Sequence, residues 1–128
     1  MSTAPEAKIT DRPYPFEVKT ALLQLAGLAI GTPRDVADVC VDFSPYVDQV
    51  SVRVFVGGYE SNKNSTPQVA DTIYMDGRTV SEVTERVAAL IVKIETAIAD
   101  GRKIKAKRLR DEAAELLKRA KEIEAATA

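Results

Sequence analysis

The side chains able to do chemistry in this 128-residue chain are few, and the missing types matter first. There is no histidine, which removes the commonest general base and the commonest imidazole metal ligand in one step. The single cysteine, Cys40, lies between Asp38 and Asp42. One thiol cannot build a cysteine-rich zinc site, and without an imidazole there is no thiol–base pair. Alternation along a strand puts Asp38 and Asp42 on one face, where, with Asp48 nearby, they could hold Mg²⁺ through waters. Carboxylates so placed more commonly form the solvated face of a sheet and discourage edge pairing, and that reading is adopted. Nothing matches a Walker loop, a dinucleotide-binding glycine pattern, a nucleophile elbow or an EF-hand loop. The chain is therefore expected to be non-enzymatic, with no catalytic residue, metal or cofactor.

Two groups of residues suit binding better than catalysis. In the polar stretch 57–68, Tyr59 could stack on a flat ligand, Asn62 and Asn64 offer paired donors and acceptors, and Lys63 could meet a phosphate. Further on, Arg102, Lys103, Lys105, Lys107, Arg108 and Arg110 place a dense group of cations on a helix. The candidate set for an anionic ligand is Arg53, Tyr59, Asn62, Lys63, Arg102, Lys105 and Arg108. Each group also has a plain reading, as a turn-rich solvated loop and as a salt-bridged helix face. Residues 1–100 carry 9 basic and 14 acidic side chains, against 9 and 5 in residues 101–128. An acidic body opposes a polyanion even where the tail is basic.

These groups need elements to position them. Val18, Leu22, Leu25, Ala26 and Ala29 keep helical spacing and predict a helix over 17–30 with Gly31 as its stop. Leu23, Leu28 and Ile30 widen its apolar face, so cover on more than one side is expected. Thr32-Pro33-Arg34-Asp35 predicts a single turn. Residues 36–44 and 49–56 both alternate with period two around a short turn and predict a β-hairpin with a valine-lined face. A third strand is expected over 71–76. Thr79-Val80-Ser81-Glu82 is a capping box opening a helix through Val83, Val87, Leu90, Ile94 and Ile98. Asp100-Gly101 then interrupts, and Leu109, Ala113, Leu116, Ala120 and Ile123 resume a heptad-like stripe offset by about one position. Gly101 either ends the first helix or sits within one long helix with two faces.

The expected fold is α+β, in the order α-β-β-β-α-α: a three-stranded antiparallel sheet with an N-terminal helix and long C-terminal helices. Residues 1–15 are expected to form a flexible N-terminal arm, 16–100 the core domain and 101–128 a charged C-terminal helix. Such a sheet cannot cover three apolar helical faces, so a homo-oligomer, a dimer or higher, is expected. Its interface is expected along Val83, Val87, Leu90, Ile94, Leu109, Leu116 and Ile123. A lone cysteine fits a reducing cytoplasm. Residues 1–16 lack the apolar core of a signal peptide, and the apolar run 21–30 is too short to span a bilayer, so no membrane partner is expected.

Over residues 39–59, VCVDFSPYVDQVSVRVFVGGY, the chain resembles small accessory proteins carried by bacteriophages and prophages. Its layout is also similar to phage anti-defence sponges, such as the inhibitors of Thoeris immunity, which sequester nucleotide-derived immune signals. The resemblance implies an oligomer holding a small phosphorylated ligand, or blocking a host protein, from the host cytoplasm. Nucleic-acid binding through the basic helix 102–110 and a purely structural assembly subunit are the alternatives.

Overall fold

The computed structural model describes residues 6–57 and 66–127. Its elements are α1 (Phe16–Gly31), β1 (Ala37–Ser44), β2 (Gln49–Val56), β3 (Val69–Tyr74) and α2 (Val80–Thr127). The three strands form one antiparallel sheet in the order β1-β2-β3, and both helices pack on one of its faces. This is the expected α+β fold with two helices in place of three.

The hairpin forms where the alternation places it, with Val39 opposite Val54 and Val41 opposite Val52. Val50, Val52 and Val54 are fully buried beneath the helices. β3 begins two residues earlier than expected, pairing Val69 with Val54 and Ile73 with Val50. Asp71 disguised its start, because it is a carboxylate on the helix-facing side of the sheet. It is tolerated there by Arg86 of α2, whose guanidinium lies 3.1 Å from the Asp71 carboxylate and 3.3 Å from the Thr72 carbonyl.

α1 buries Val18, Ala21 and Leu25. Thr32, and not Gly31, makes its stop: the Thr32 backbone N–H and hydroxyl both donate to the Leu28 carbonyl, at 3.2 and 2.6 Å. Pro33 then forbids continuation by forcing the preceding residue into extended backbone. The single turn that follows closes through the Val36 and Ala37 amides on the Pro33 carbonyl.

Residues 6–15 do not hang free as an arm. The Ile9 amide donates to the Arg78 carbonyl and the Gly77 amide to the Ile9 carbonyl, both at 2.7 Å. Ile9 and Tyr14 are buried. The Tyr14 ring meets Phe43 edge-on, and its hydroxyl donates to the Asp48 carboxylate in the hairpin turn. Burial, with that carboxylate beside it, pushes the Tyr14 hydroxyl up to about 12. The signal was Tyr14 between Pro13 and Pro15, which packs against Phe43 of β1, while Phe16 stays exposed.

α2 starts at the capping box: the Glu82 amide donates to the Thr79 hydroxyl at 3.1 Å, and the Thr79 amide to the Glu82 carboxylate at 3.4 Å. It then runs 48 residues without interruption, about 72 Å at the usual rise. Gly101 neither ends nor breaks it. A Cβ at this position would lie 2.1 Å from the Val36 carbonyl oxygen, which already accepts the Gly57 amide at 2.8 Å. The glycine is there because the helix crosses backbone at the entry to β1, and only a hydrogen fits the gap.

Gly101→Ala should therefore lower stability by about 1–3 kcal/mol through the forced clash, although alanine normally favours a helix by about 1 kcal/mol. Gly27, inside α1, has open space around its Cβ position, so Gly27→Ala should stabilise by about 0.5–1 kcal/mol. Urea denaturation midpoints of the two variants should move in opposite directions; movement in the same direction would contradict the close approach.

Candidate interaction surface on the distal helix

The candidate ligand residues are not brought together among the described residues. Arg53 lies on the sheet face turned away from the helices, 3.9 Å from the Asp42 carboxylate. Arg102, Lys105 and Arg108 lie on α2 where it leaves the domain. Lys105 turns back to Asp35 at 2.8 Å, and its hydrogen bond holds that carboxyl below the usual range. Tyr59, Asn62 and Lys63 lie outside the described residues. Among the described residues no group of three or more metal-ligating side chains converges.

The outward sheet face carries Asp38, Cys40 and Asp42 on β1, Ser51 and Arg53 on β2, and Ala70 and Thr72 on β3. The Ser51 and Thr72 hydroxyls are 3.2 Å apart across the strands. Cys40 is half-buried. Burial pushes its thiol up, and the Asp38 carboxylate adds to the shift. It is held as a thiol at neutral pH, the opposite of what a nucleophile needs.

The expected oligomer interface splits into two sets. Val83, Val87, Leu90 and Ile94 are spent inside the protomer, each at most 1% exposed against the sheet and α1. They are not an intersubunit surface: the sheet and α1 consume the stripe that sequence reasoning left uncovered. Leu109, Leu116 and Ile123 have no such cover, at 51%, 63% and 65% exposure.

The reason is reach. The core-facing stripe runs Val83, Val87, Leu90, Ile94, Ala97, Ile98 and Gly101, and the same spacing would continue through Ile104 and Arg108. Leu116 lies 18 residues beyond Ile98 and Ile123 lies 36 beyond Val87, whole numbers of helical turns, so the distal row continues along one edge of the same face. The distal row lies beyond the reach of the domain's own core: from 102 onward only Lys105 is even partly covered. Residues 102–127 make an arm of about 39 Å. Along it, Lys107 pairs with Asp111 at 2.9 Å and Arg119 with Glu115 at 3.6 Å, both one helical turn apart. Such pairs favour the helix by about 0.3–0.5 kcal/mol each.

A second apolar stripe lies on the outer side of α1. Phe16, Leu23 and Ile30 are spaced by seven and exposed; the widening noted in sequence was the signal, and Phe16 was the member it missed. A groove beside it, between α1 and α2, is lined by Phe16, Thr20, Gln24, Thr84, Ala88 and Ile91. No described helix is long and apolar enough to cross a membrane. Comparison with family models, curated proteins and solved structures gave no match.

Alkylation of Cys40 by iodoacetamide should be slow at pH 7 and climb only above the range of an ordinary thiol, because the folded-state thiol holds its proton longer. Asp38→Asn should shift that rate profile to lower pH; a profile unmoved by the substitution would deny the carboxylate its part.

Proposed function

We propose that this chain is a non-catalytic binding module in which a small α+β head carries a helical arm, and the arm is the working surface. The observation that carries this reading is the row Leu109, Leu116 and Ile123: three large apolar side chains at seven-residue spacing, exposed on a helix that outruns its own core. A helix exposed on all sides gains little from propensity alone, and in proteins the stability comes from packing an apolar face. Burying those three side chains contributes about 1.5–3 kcal/mol each. The fitting partner is another amphipathic helix, engaged side by side as in a coiled coil.

The phage-type accessory reading fits inside this one where the target is a protein, and occupancy of the target's helix is then the mode of action. Sequestration of a small anionic ligand draws less support. Lys105 and Lys107 of the basic cluster are already engaged by Asp35 and Asp111, and Arg53 faces away from the helices. The same two pairs weaken the case for nucleic acid, as does the lack of any aromatic residue from 102 onward.

Photo-crosslinking in cells, with a photoreactive amino acid at Leu116 and, separately, at Thr72, tests the reading. Protein adducts from position 116 and none from position 72 are expected. Adducts only from the sheet face would overturn it.

A further inference from the structure

Resting on the arm as the docking element, we infer that its partner is a second copy of the same arm, running antiparallel. Two independent features of residues 102–127 point this way, side-chain size and charge.

Size comes first. Alanines recur with the same seven-residue period as the large residues, at Ala106, Ala113 and Ala120, interleaved with Leu109, Leu116 and Ile123. In a parallel pair, like meets like: alanine would face alanine and leave voids, while the large residues crowd in the alternate layers. In an antiparallel pair the two sets interlock. Ala106 faces the second copy's Ile123, Leu109 its Ala120, and Ala113 its Leu116, with the reciprocal three layers following by symmetry. Every layer then sets one large side chain against one small one. Large-against-small layers interdigitate without voids, and the alanines let the helix axes approach to about 8 Å.

Charge selects the same orientation. Residues 102–110 carry six cations and no carboxylate, whereas 111–127 carry five carboxylates and three cations. Antiparallel overlap lays each basic base beside the other copy's acidic distal half. Position by position, the flanks of the apolar seam bring Glu112 to the second copy's Arg119 and Lys103 to its Glu124, each twice, with no like-charge pair. The parallel arrangement keeps the favourable Arg119–Glu124 contact but sets Lys105 against Arg110, a repulsion made twice. The competing surface within a second copy is the α1 stripe Phe16, Leu23 and Ile30. It offers Glu17 as the lone carboxylate of its helix, so the six-cation base finds no complementary field there.

The test uses the full chain, by sedimentation equilibrium over a range reaching about 100 µM, where a short coiled coil of moderate affinity is populated. The expected species is a dimer of twice 13.9 kDa. Leu116→Asp should abolish it while leaving the head's thermal midpoint unchanged, since Leu116 touches none of the core. Glu112→Arg and Arg119→Glu should each weaken association by about tenfold, and the two together should restore it, because the swapped charges meet again only across an antiparallel seam. A monomer throughout that range overturns self-pairing. So does a dimer in which the double swap fails to restore association.

These failures are separable from failure of the arm itself. A monomer whose position 116 still crosslinks to another protein in cells retains the arm as a docking element and loses only the second copy. A dimer indifferent to Leu116→Asp assembles elsewhere and overturns the self-paired arm; if position 116 then also gives no protein adduct, the arm as a docking element falls with it.

Discussion

The architecture depends on the passage of a helix across a carbonyl. Where α2 leaves the head, the Gly101 backbone lies against the Val36 carbonyl, at a separation that excludes even a methyl group. That contact fixes where the helix crosses the start of β1, and with it the angle at which everything beyond residue 101 leaves the domain. The same carbonyl holds the Gly57 amide at the end of β2, so one oxygen organises the entry of the hairpin, its exit and the long helix. The remainder of the core is aliphatic and forgiving by comparison, built from valines on β2 under Leu25, Leu90 and Ile94.

Length separates what α2 does for its own fold from what it offers outward. Up to Gly101 its apolar positions face the sheet, and the capping box and the Arg86–Asp71 pair hold that face in register. After Gly101 the apolar positions meet no element of the domain. A single helix thus serves two environments without a joint. The glycine at the changeover reads in sequence as a break, although its role is to permit an uninterrupted helix to pass.

Much of this was legible because periodicity reports burial. The valine alternation located the hairpin, and the capping box located the start of α2 to the residue. Legibility ended where a residue's role is set by something distant in the chain. Gly101 is explained only by Val36, Asp71 only by Arg86, and the ordering of residues 6–15 only by backbone pairing with Gly77 and Arg78. The candidate surface was half legible for the same reason. The seven-residue spacing of Leu109, Leu116 and Ile123 is visible in the letters, but that Val83, Val87, Leu90 and Ile94 are consumed within the protomer requires knowing what the sheet and α1 cover. The proposed ligand set drew on charge and side-chain type alone, which carry no information on which face a residue occupies, and Arg53 fell on the side away from the basic helix.

A helix continuous through Gly101 is a lever as well as a surface. Its outer portion, about 39 Å, is longer than the portion clamped in the head, about 33 Å, and the fulcrum is the Gly101–Val36 contact. Any load taken up at the tip of α2 is delivered, with no hinge to absorb it, to the carbonyl that also secures Gly57. Gly57 is where β2 gives way to the segment between the second and third strands, so traction on the far end of the molecule bears mechanically on that junction.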